Sequence, residues 1–186
     1  MYTFNNIRIT TERLVLRPLQ ADDAEAAYAI RSTTEVMRYG ASLPWTSMDT
    51  ARDWIVRAIA DTDSNTNLRL AIEKAEDHTM IGSCTFFQID AQCRRAEIGY
   101  ELNPAYWGKG YMNEALRALL HFGFTELKLN RIEADIHPDN ASSAKSLERL
   151  GFTKEGHLRE RWIVGDEVSD SIIYGLLLRD WQTKKS

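Results

Sequence analysis

The stretch Glu97-Ile98-Gly99-Tyr100-Glu101-Leu102-Asn103-Pro104-Ala105-Tyr106-Trp107-Gly108-Lys109-Gly110-Tyr111-Met112-Asn113-Glu114-Ala115 reads as a strand, a glycine-bearing turn and the start of an amphipathic helix. The first N–H groups of a helix lack intrahelical partners, and the aligned peptide dipoles leave partial positive charge there. Such a corner binds a phosphate through main chain alone. Glycines at 108 and 110 let that backbone approach a ligand closely.

The flanking segments spell a mixed architecture. Arg13–Leu19 alternates like a half-buried strand, and Gln20-Ala21-Asp22-Asp23 starts an alanine-rich helix. Trp54, Ile55, Ala58 and Ile59 place a second helix from about Ser47 or Asp49 through Ala60. Between these helices Arg38–Trp45 is a loop with an aromatic near either end. Asn67–Glu73 and Met80–Gln88 flank a polar Ala75-Glu76-Asp77-His78 turn as an antiparallel hairpin, and a third strand runs from about Ala96 to Leu102. Helix 111–126 carries Met112, Ala115, Leu116, Leu119 and Gly123 on a core stripe, with Glu114, Arg117 and His121 toward water. Asn130–Ile136 alternates again, and Pro138-Asp139-Asn140 opens a helix that ends at Leu150 with Gly151 as its stop. Trp162–Val164 and Ser171–Leu178 flank a Gly165-Asp166-Glu167 turn. No internal repeat or linker interrupts this order, so the expectation is one α+β domain over residues 1–186 with a mixed sheet.

Composition narrows the functional classes. The chain of 186 residues is long enough for one core. A domain of this size buries roughly 70% of its unfolded surface. A net charge of −4 argues against a nucleic-acid footprint and mildly favours a basic or amine-bearing partner. Cys84 and Cys93 are too few for a disulfide framework, and the polar start Met1-Tyr2-Thr3-Phe4-Asn5-Asn6 has no apolar leader, so a cytoplasmic location is expected. No run of about 18 apolar residues marks a membrane span. His78, His121, His137 and His157 show no ligand spacing with each other or with the cysteines, so no metal site is expected.

Three readings of the glycine corner compete. A nucleotide P-loop places its lysine after the second glycine and before Ser or Thr, whereas Lys109 precedes Gly110 and Asn103 stands at the first-glycine position. A dinucleotide fingerprint wants a third glycine where Asn113 stands, in a parallel unit, yet an antiparallel hairpin precedes this corner. The third reading uses the second motif, Asn140-Ala141-Ser142-Ser143-Ala144-Lys145-Ser146-Leu147-Glu148-Arg149-Leu150-Gly151-Phe152. With Trp107-Gly108-Lys109-Gly110-Tyr111 before it, the chain resembles the GNAT superfamily of acyl-CoA N-acetyltransferases. The resemblance is to the branch containing the ribosomal-protein N-terminal (alanine/serine) acetyltransferases. It spans Thr11–Arg17 at the front to Tyr174-Gly175-Leu176 near the end.

The resemblance implies a GNAT-like, mostly antiparallel central sheet flanked by helices and splayed at the acyl-CoA site. It implies that the amides of Gly108, Lys109, Gly110, Tyr111 and Met112 hold the diphosphate of acetyl-CoA. Tyr100, Glu101 and Leu102 would form a bulged, splayed segment that pairs with the pantetheine arm, and Asn140 and Ser143 would touch that arm. Ala105 departs from the usual Gln or Arg, and Leu147 stands where many relatives carry a tyrosine that protonates the departing thiolate. The implied assembly is a monomer or homodimer. The loop 38–45 and the C-terminal hairpin would line an acceptor groove. Trp45, Trp54, Trp107 and Trp162 are read as core or rim residues, with Trp45, in a proline-containing loop, the candidate exception as a substrate platform.

Each of these residues also has a plainer reading. Gly108 and Gly110 make a tight turn, and Asn140 is well placed as a helix N-cap. Glu97 and Glu101 share one strand face and could simply pair with Arg94 or Arg95 at the surface. Cys93 beside Arg94 and Arg95 is read as an ordinary loop thiol. Because an amine must lose a proton before it attacks a thioester, Glu97 is the candidate general base and Ser143 a candidate proton donor. The expected activity is acetyl transfer to a protein N-terminal α-amine or a small amine. The alternatives are a non-catalytic CoA-binding regulatory module and a dinucleotide-binding domain.

Overall fold

The computed structural model describes residues 4–183. Met1–Thr3 of the polar start, and 184–186 at the far end of the expected domain, lie outside the described residues. The order is β1 (Ile9–Thr10), β2 (Leu14–Pro18), α1 (Ala24–Arg31), α2 (Thr34–Met37), α3 (Met48–Asp63), β3 (Leu68–Lys74), β4 (Met80–Asp90) and β5 (Arg95–Leu102). Then follow α4 (Tyr111–Thr125), β6 (Arg131–Ile136), α5 (Ala141–Leu150), β7 (Thr153–Val164), β8 (Glu167–Leu177) and α6 (Leu178–Thr183). The strands form one eight-stranded sheet in the order β1-β2-β3-β4-β5-β6-β8-β7. Every neighbouring pair is antiparallel except β5 and β6. The α+β, mostly antiparallel class expected from the sequence is therefore the observed one.

Strand alternation sorts the side chains into two layers. Leu70, Ile72, Phe86, Ile98 and Ile132 pack with Leu116, Leu119 and Leu120 of α4 and Leu147 of α5. On the opposite face Ala71 packs with Ala27 of α1 and Ala51, Ile55 and Ala58 of α3. Gly123 is required where α4 crosses the sheet, because a Cβ there would stand 2.7 Å from Phe86 Cζ. The helix expected to begin at residues 20–23 starts with a 3-10 turn at Ala21–Asp23, since the Asp23 carboxylate turns back to accept from the Gln20 N–H at 2.7 Å. Leu178, expected in the last strand, instead opens α6.

The feature that positions the site is a fork. β5 and β6 pair only at Arg95↔Arg131, Ala96↔Ile132 and Glu97↔Glu133. Beyond that, β5 stays with β4 as far as Gly82↔Leu102, while β6 stays with β8 as far as Ile136↔Ile172. Each strand keeps its outer partner, so the inner edges diverge. The bulge expected at Tyr100–Leu102 is absent: Cys84↔Tyr100, Ser83↔Glu101 and Gly82↔Leu102 run in unbroken register, and the irregularity lies at the other end, between Phe87 and Asp90. Divergence of two strands, rather than an extra residue in one, opens the sheet.

Candidate active site

At the mouth of the fork the chain leaves β5, passes through a 3-10 turn at Pro104–Tyr106 and enters α4. Gly108 has φ +72° and Gly110 has φ +81°. Both lie in the left-handed region, which glycine adopts without strain. Alternating these glycines with ordinary residues turns successive N–H groups toward one side, a concave anion cradle. Among the described residues, no acceptor pairs with the N–H of any of residues 108–113; the first bonded amide is Glu114 N–H to Gly110 C=O at 3.1 Å. A Cβ placed on Gly108 would find nothing within 4 Å. The cradle is open, and its row of donors suits a diphosphate.

What holds the cradle in shape is not visible in the sequence. Arg13, ahead of β2, donates from Nη1 to Lys109 C=O at 3.0 Å and from Nε to Glu114 Oε2 at 2.7 Å, and its guanidinium stacks 4.5 Å from the Tyr111 ring. Glu114 also accepts from the Arg13 N–H and from Thr11 Oγ1, so its carboxyl is held below the usual carboxylate range despite partial burial. Helical spacing points Glu114 toward water; it is instead the post to which the loop is tied. Lys109 turns its Nζ back to Ala105 C=O at 2.8 Å.

The inner edge of β5 supplies main-chain groups. Asn103 N–H donates to Ile81 C=O at 2.8 Å. By strand alternation the N–H groups of Tyr100 and Leu102 therefore face the fork. Trp107 Nε1 caps Leu102 C=O at 2.8 Å. Across the gap, Asn140 Oδ1 caps α5 by accepting from Ser143 N–H at 3.1 Å and Ser142 Oγ at 3.0 Å. The capping role is thus present, while the Asn140 side-chain nitrogen Nδ2 has no acceptor among the described residues. Ser143 is buried, and its Oγ lies 2.5 Å from Tyr100 Oη. Burial pushes the Tyr100 phenol up to about 12, so it stays protonated at neutral pH. Leu147 is fully buried in the core and offers no proton at its position.

On the other sheet face Glu97 and Glu101 have different surroundings, and neither pairs with Arg94 or Arg95. Arg95 is taken by Glu133 at 2.9 Å, its diagonal neighbour across the parallel pairing. Glu101 accepts from Arg31 Nε at 2.8 Å and Ser83 Oγ at 3.1 Å, beneath α1. Its Oε1 is thereby committed, while Oε2 has no donor among the described residues. Glu97, at the base of the fork, has no hydrogen-bond partner among the described residues. Burial, then the nearby charges of Asp135 and Glu133, push its carboxyl up to about 7, against the opposing pull of Arg161 and Arg95. A carboxylate that titrates near neutrality is suited to accept a proton. Asp135, which no sequence pattern singles out, stands beside it.

An acetyltransferase (GNAT) domain model matches residues 13–153 of this chain. The chain belongs to the GNAT family. It is 40% identical to the uncharacterized N-acetyltransferase p20 of Bacillus licheniformis over 92% of this chain and 96% of that one. It is 31% identical to YdaF of Bacillus subtilis (strain 168), whose name proposes a ribosomal N-acetyltransferase, over 94% and 96% of the two chains. A solved structure of a GNAT-family acetyltransferase from Bacillus anthracis superposes with a TM-score of 0.82 at 28% identity, covering 93% of this chain and 99% of that one. The protein is accordingly an acyl-CoA-dependent N-acetyltransferase.

Family membership removes the dinucleotide reading. The β5–α4–β6 crossover is a parallel unit, but Asn113 holds the third-glycine position and β4 on the other side is antiparallel. The two segments expected to line an acceptor groove touch one another and the end of β6. In the loop 38–45 Tyr39 stacks on His137 with ring centroids 5.0 Å apart, and a Cβ on Gly165, in the β7–β8 turn, would stand 3.6 Å from Leu43. Trp45 is not an exposed platform: it is 9% exposed, edge-on to Trp54, with Arg31 stacked on both rings. Among the described residues no helix is long and apolar enough to cross a membrane.

Proposed function

We propose that this N-acetyltransferase moves an acetyl group from acetyl-CoA to a primary amine, either a protein N-terminal α-amine or a small amine, by direct attack in a ternary complex. The single observation that carries the reading is the row of unpaired N–H groups at 108–113 opening directly onto a forked sheet with Glu97 at its base. Diphosphate oxygens fit the amides of Gly108, Lys109, Gly110, Tyr111 and Met112. The inner edge of Tyr100–Leu102 and the Asn140 amide fit the amide-bearing arm. Bound there, the co-substrate supplies an activated acetyl thioester.

The chain's own groups do the rest. Glu97, as the carboxylate, takes a proton from the incoming ammonium and leaves a neutral nitrogen. Leu102 N–H, pointing into the fork, stabilises negative charge that develops on the carbonyl oxygen. Ser143, hydrogen-bonded to the neutral Tyr100 phenol, stands as proton donor to the leaving sulfur in place of the tyrosine that Leu147 replaces. The name of YdaF and the acidic surface favour a basic peptide N-terminus.

The test is thiol release from acetyl-CoA with a panel of amines, including spermidine and N-terminal peptides of ribosomal proteins. Acetylation of a primary amine is expected. Tight acetyl-CoA binding without thiol release across the panel would leave only a CoA-binding module.

A further inference from the structure

Asp135 lies two residues past Glu133, the last β6 residue to pair with β5, and so shares its sheet face on the far limb of the fork. Opposite it on β5 is Gly99, where the lack of a side chain leaves room: a Cβ there would already be 3.2 Å from the Phe87 ring. The Asp135 side chain is 4% exposed. One of its oxygens is anchored, since Trp162 Nε1 donates to Oδ2 at 3.2 Å and Arg161 Nε reaches the same atom at 3.5 Å. The other, Oδ1, is buried with no donor among the described residues.

A buried carboxylate oxygen without a donor carries its full desolvation penalty, and native structures rarely leave one so. Here the unpaired atom lies beside Glu97, which also has no donor, at the place where an acceptor nitrogen must arrive. Resting on the transferase reading above, we propose that Asp135 is a specificity-determining residue for the acceptor, its Oδ1 accepting a hydrogen bond from the protonated primary amine. An ammonium matches this pair in charge and in number of donors: one N–H serves Asp135 and another points to Glu97. The proton then passes from nitrogen to the Glu97 carboxylate, which becomes a neutral acid, while Asp135 Oδ1 keeps its hydrogen bond to the nitrogen. A neutral hydroxyl acceptor or an already acylated nitrogen offers one donor at most and no positive charge, so the site rejects both by leaving an anion unpaired.

The test is calorimetric titration of the CoA-saturated full chain, as wild type and as Asp135→Asn. The probes are spermidine, a serine-initiated tetrapeptide amide and the same peptide N-acetylated. Asparagine keeps the shape and an oxygen for Trp162 but removes the charge. The expected result is a roughly 10- to 100-fold loss of affinity for whichever cationic probe binds wild type, with the N-acetylated peptide and CoA within about twofold. Equal weakening of cationic and acetylated probes would reduce Asp135 to a packing role. Unchanged affinity for the cationic probe, or no cationic probe binding wild type, would overturn the proposal outright. Because CoA carries no acetyl group, these outcomes do not depend on turnover. Failure to release thiol from acetyl-CoA would instead count against the transferase reading alone.

Discussion

Replacing Glu97 by glutamine should cost activity and gain stability, and the two effects share one origin. The folded environment lifts the Glu97 carboxyl from its ordinary 4.5 to about 7, through burial and the charges of Asp135 and Glu133. Each pKa unit corresponds to about 1.4 kcal/mol, so ionised Glu97 opposes folding by at most about 3 kcal/mol. The group is only partly buried, and solvent screening brings that to about 1–2 kcal/mol. The sign follows from proton binding. Between the two pKa values the folded state holds a proton that the unfolded chain has lost, so wild-type stability falls as pH rises through that window, and the full cost is present above about 7. Glutamine does not titrate. Glu97→Gln should therefore match wild-type stability within error near pH 4 and exceed it by about 1–2 kcal/mol near pH 8, a rise in Tm of about 2–8 °C for a chain of this size. Over the same range wild-type kcat/KM should climb through about 7, and the variant should turn over about 100- to 10,000-fold more slowly with unchanged acetyl-CoA affinity. Thermal unfolding at the two pH values and thiol release across the range check both halves. Wild-type turnover in the variant would remove Glu97 from the chemistry, and a stability difference that ignores pH would refute the electrostatic account.

Three other substitutions probe the scaffold. Gly110→Ala forces a side chain into the left-handed region, where residue 110 has φ +81°. That costs about 1–2 kcal/mol. The distorted cradle should raise the acetyl-CoA Kd; equal Kd values by calorimetry would show that the loop does not grip the diphosphate. Gly123→Ala adds a methyl 2.7 Å from Phe86 at the centre of the core. The overpacking cost of about 1–3 kcal/mol should exceed the gain in helix propensity and lower Tm. Arg17 bridges Asp23 at 2.8 Å and Glu73 at 2.5 Å, all three nearly buried. Arg17→Met should cost about 3–5 kcal/mol at neutral pH by removing the cation that two buried carboxylates share, and urea melts should show the deficit shrinking as pH falls and Glu73, which despite burial His78 and Arg17 hold below its usual range, protonates.

The parts of the fold legible in the sequence are those whose physics is local. Asn140 and Gly151 bracket α5 because an N-cap oxygen and a left-handed C-cap act within one turn. Gly151 indeed has φ +104°. The core stripe of α4 is readable because burial on one face imposes a period, while β3 and most of β4, buried on both faces, are readable as apolar runs flanking a polar turn. Most of β7 is not, because it is exposed along nearly its whole length and no alternation marks it; only its last residues, near the turn, stand out. α2 has four residues, too few to carry a period. At the site, the glycines and the Asn-x-x-Ser segment can be found because backbone geometry demands them. Arg13, Asp135 and the Arg31–Glu101 pair cannot, since partners 26 to 101 residues apart meet only once the sheet exists. The bulge expected in β5 fails for the same reason: splaying depends on which outer partner each strand keeps, a property of the whole sheet.

This division also explains how the enzyme can lack the usual tyrosine. Holding two reactants in attacking geometry supplies roughly 7–11 kcal/mol, whereas one acid or base gives about 100- to 10,000-fold. The larger contribution falls to the glycine cradle and the inner edge of β5, which Arg13, Glu114 and the β4 ladder fix through main-chain contacts. The smaller one falls to single side chains on the fork, which a sequence can exchange without rebuilding the sheet. Leu147 packs in the core, and the hydroxyl nearest its helix face is Ser143, bonded to a phenol from the neighbouring strand. In the proposed mechanism the proton donor lies one helical turn from Leu147, which changes the lesser contribution and keeps the greater.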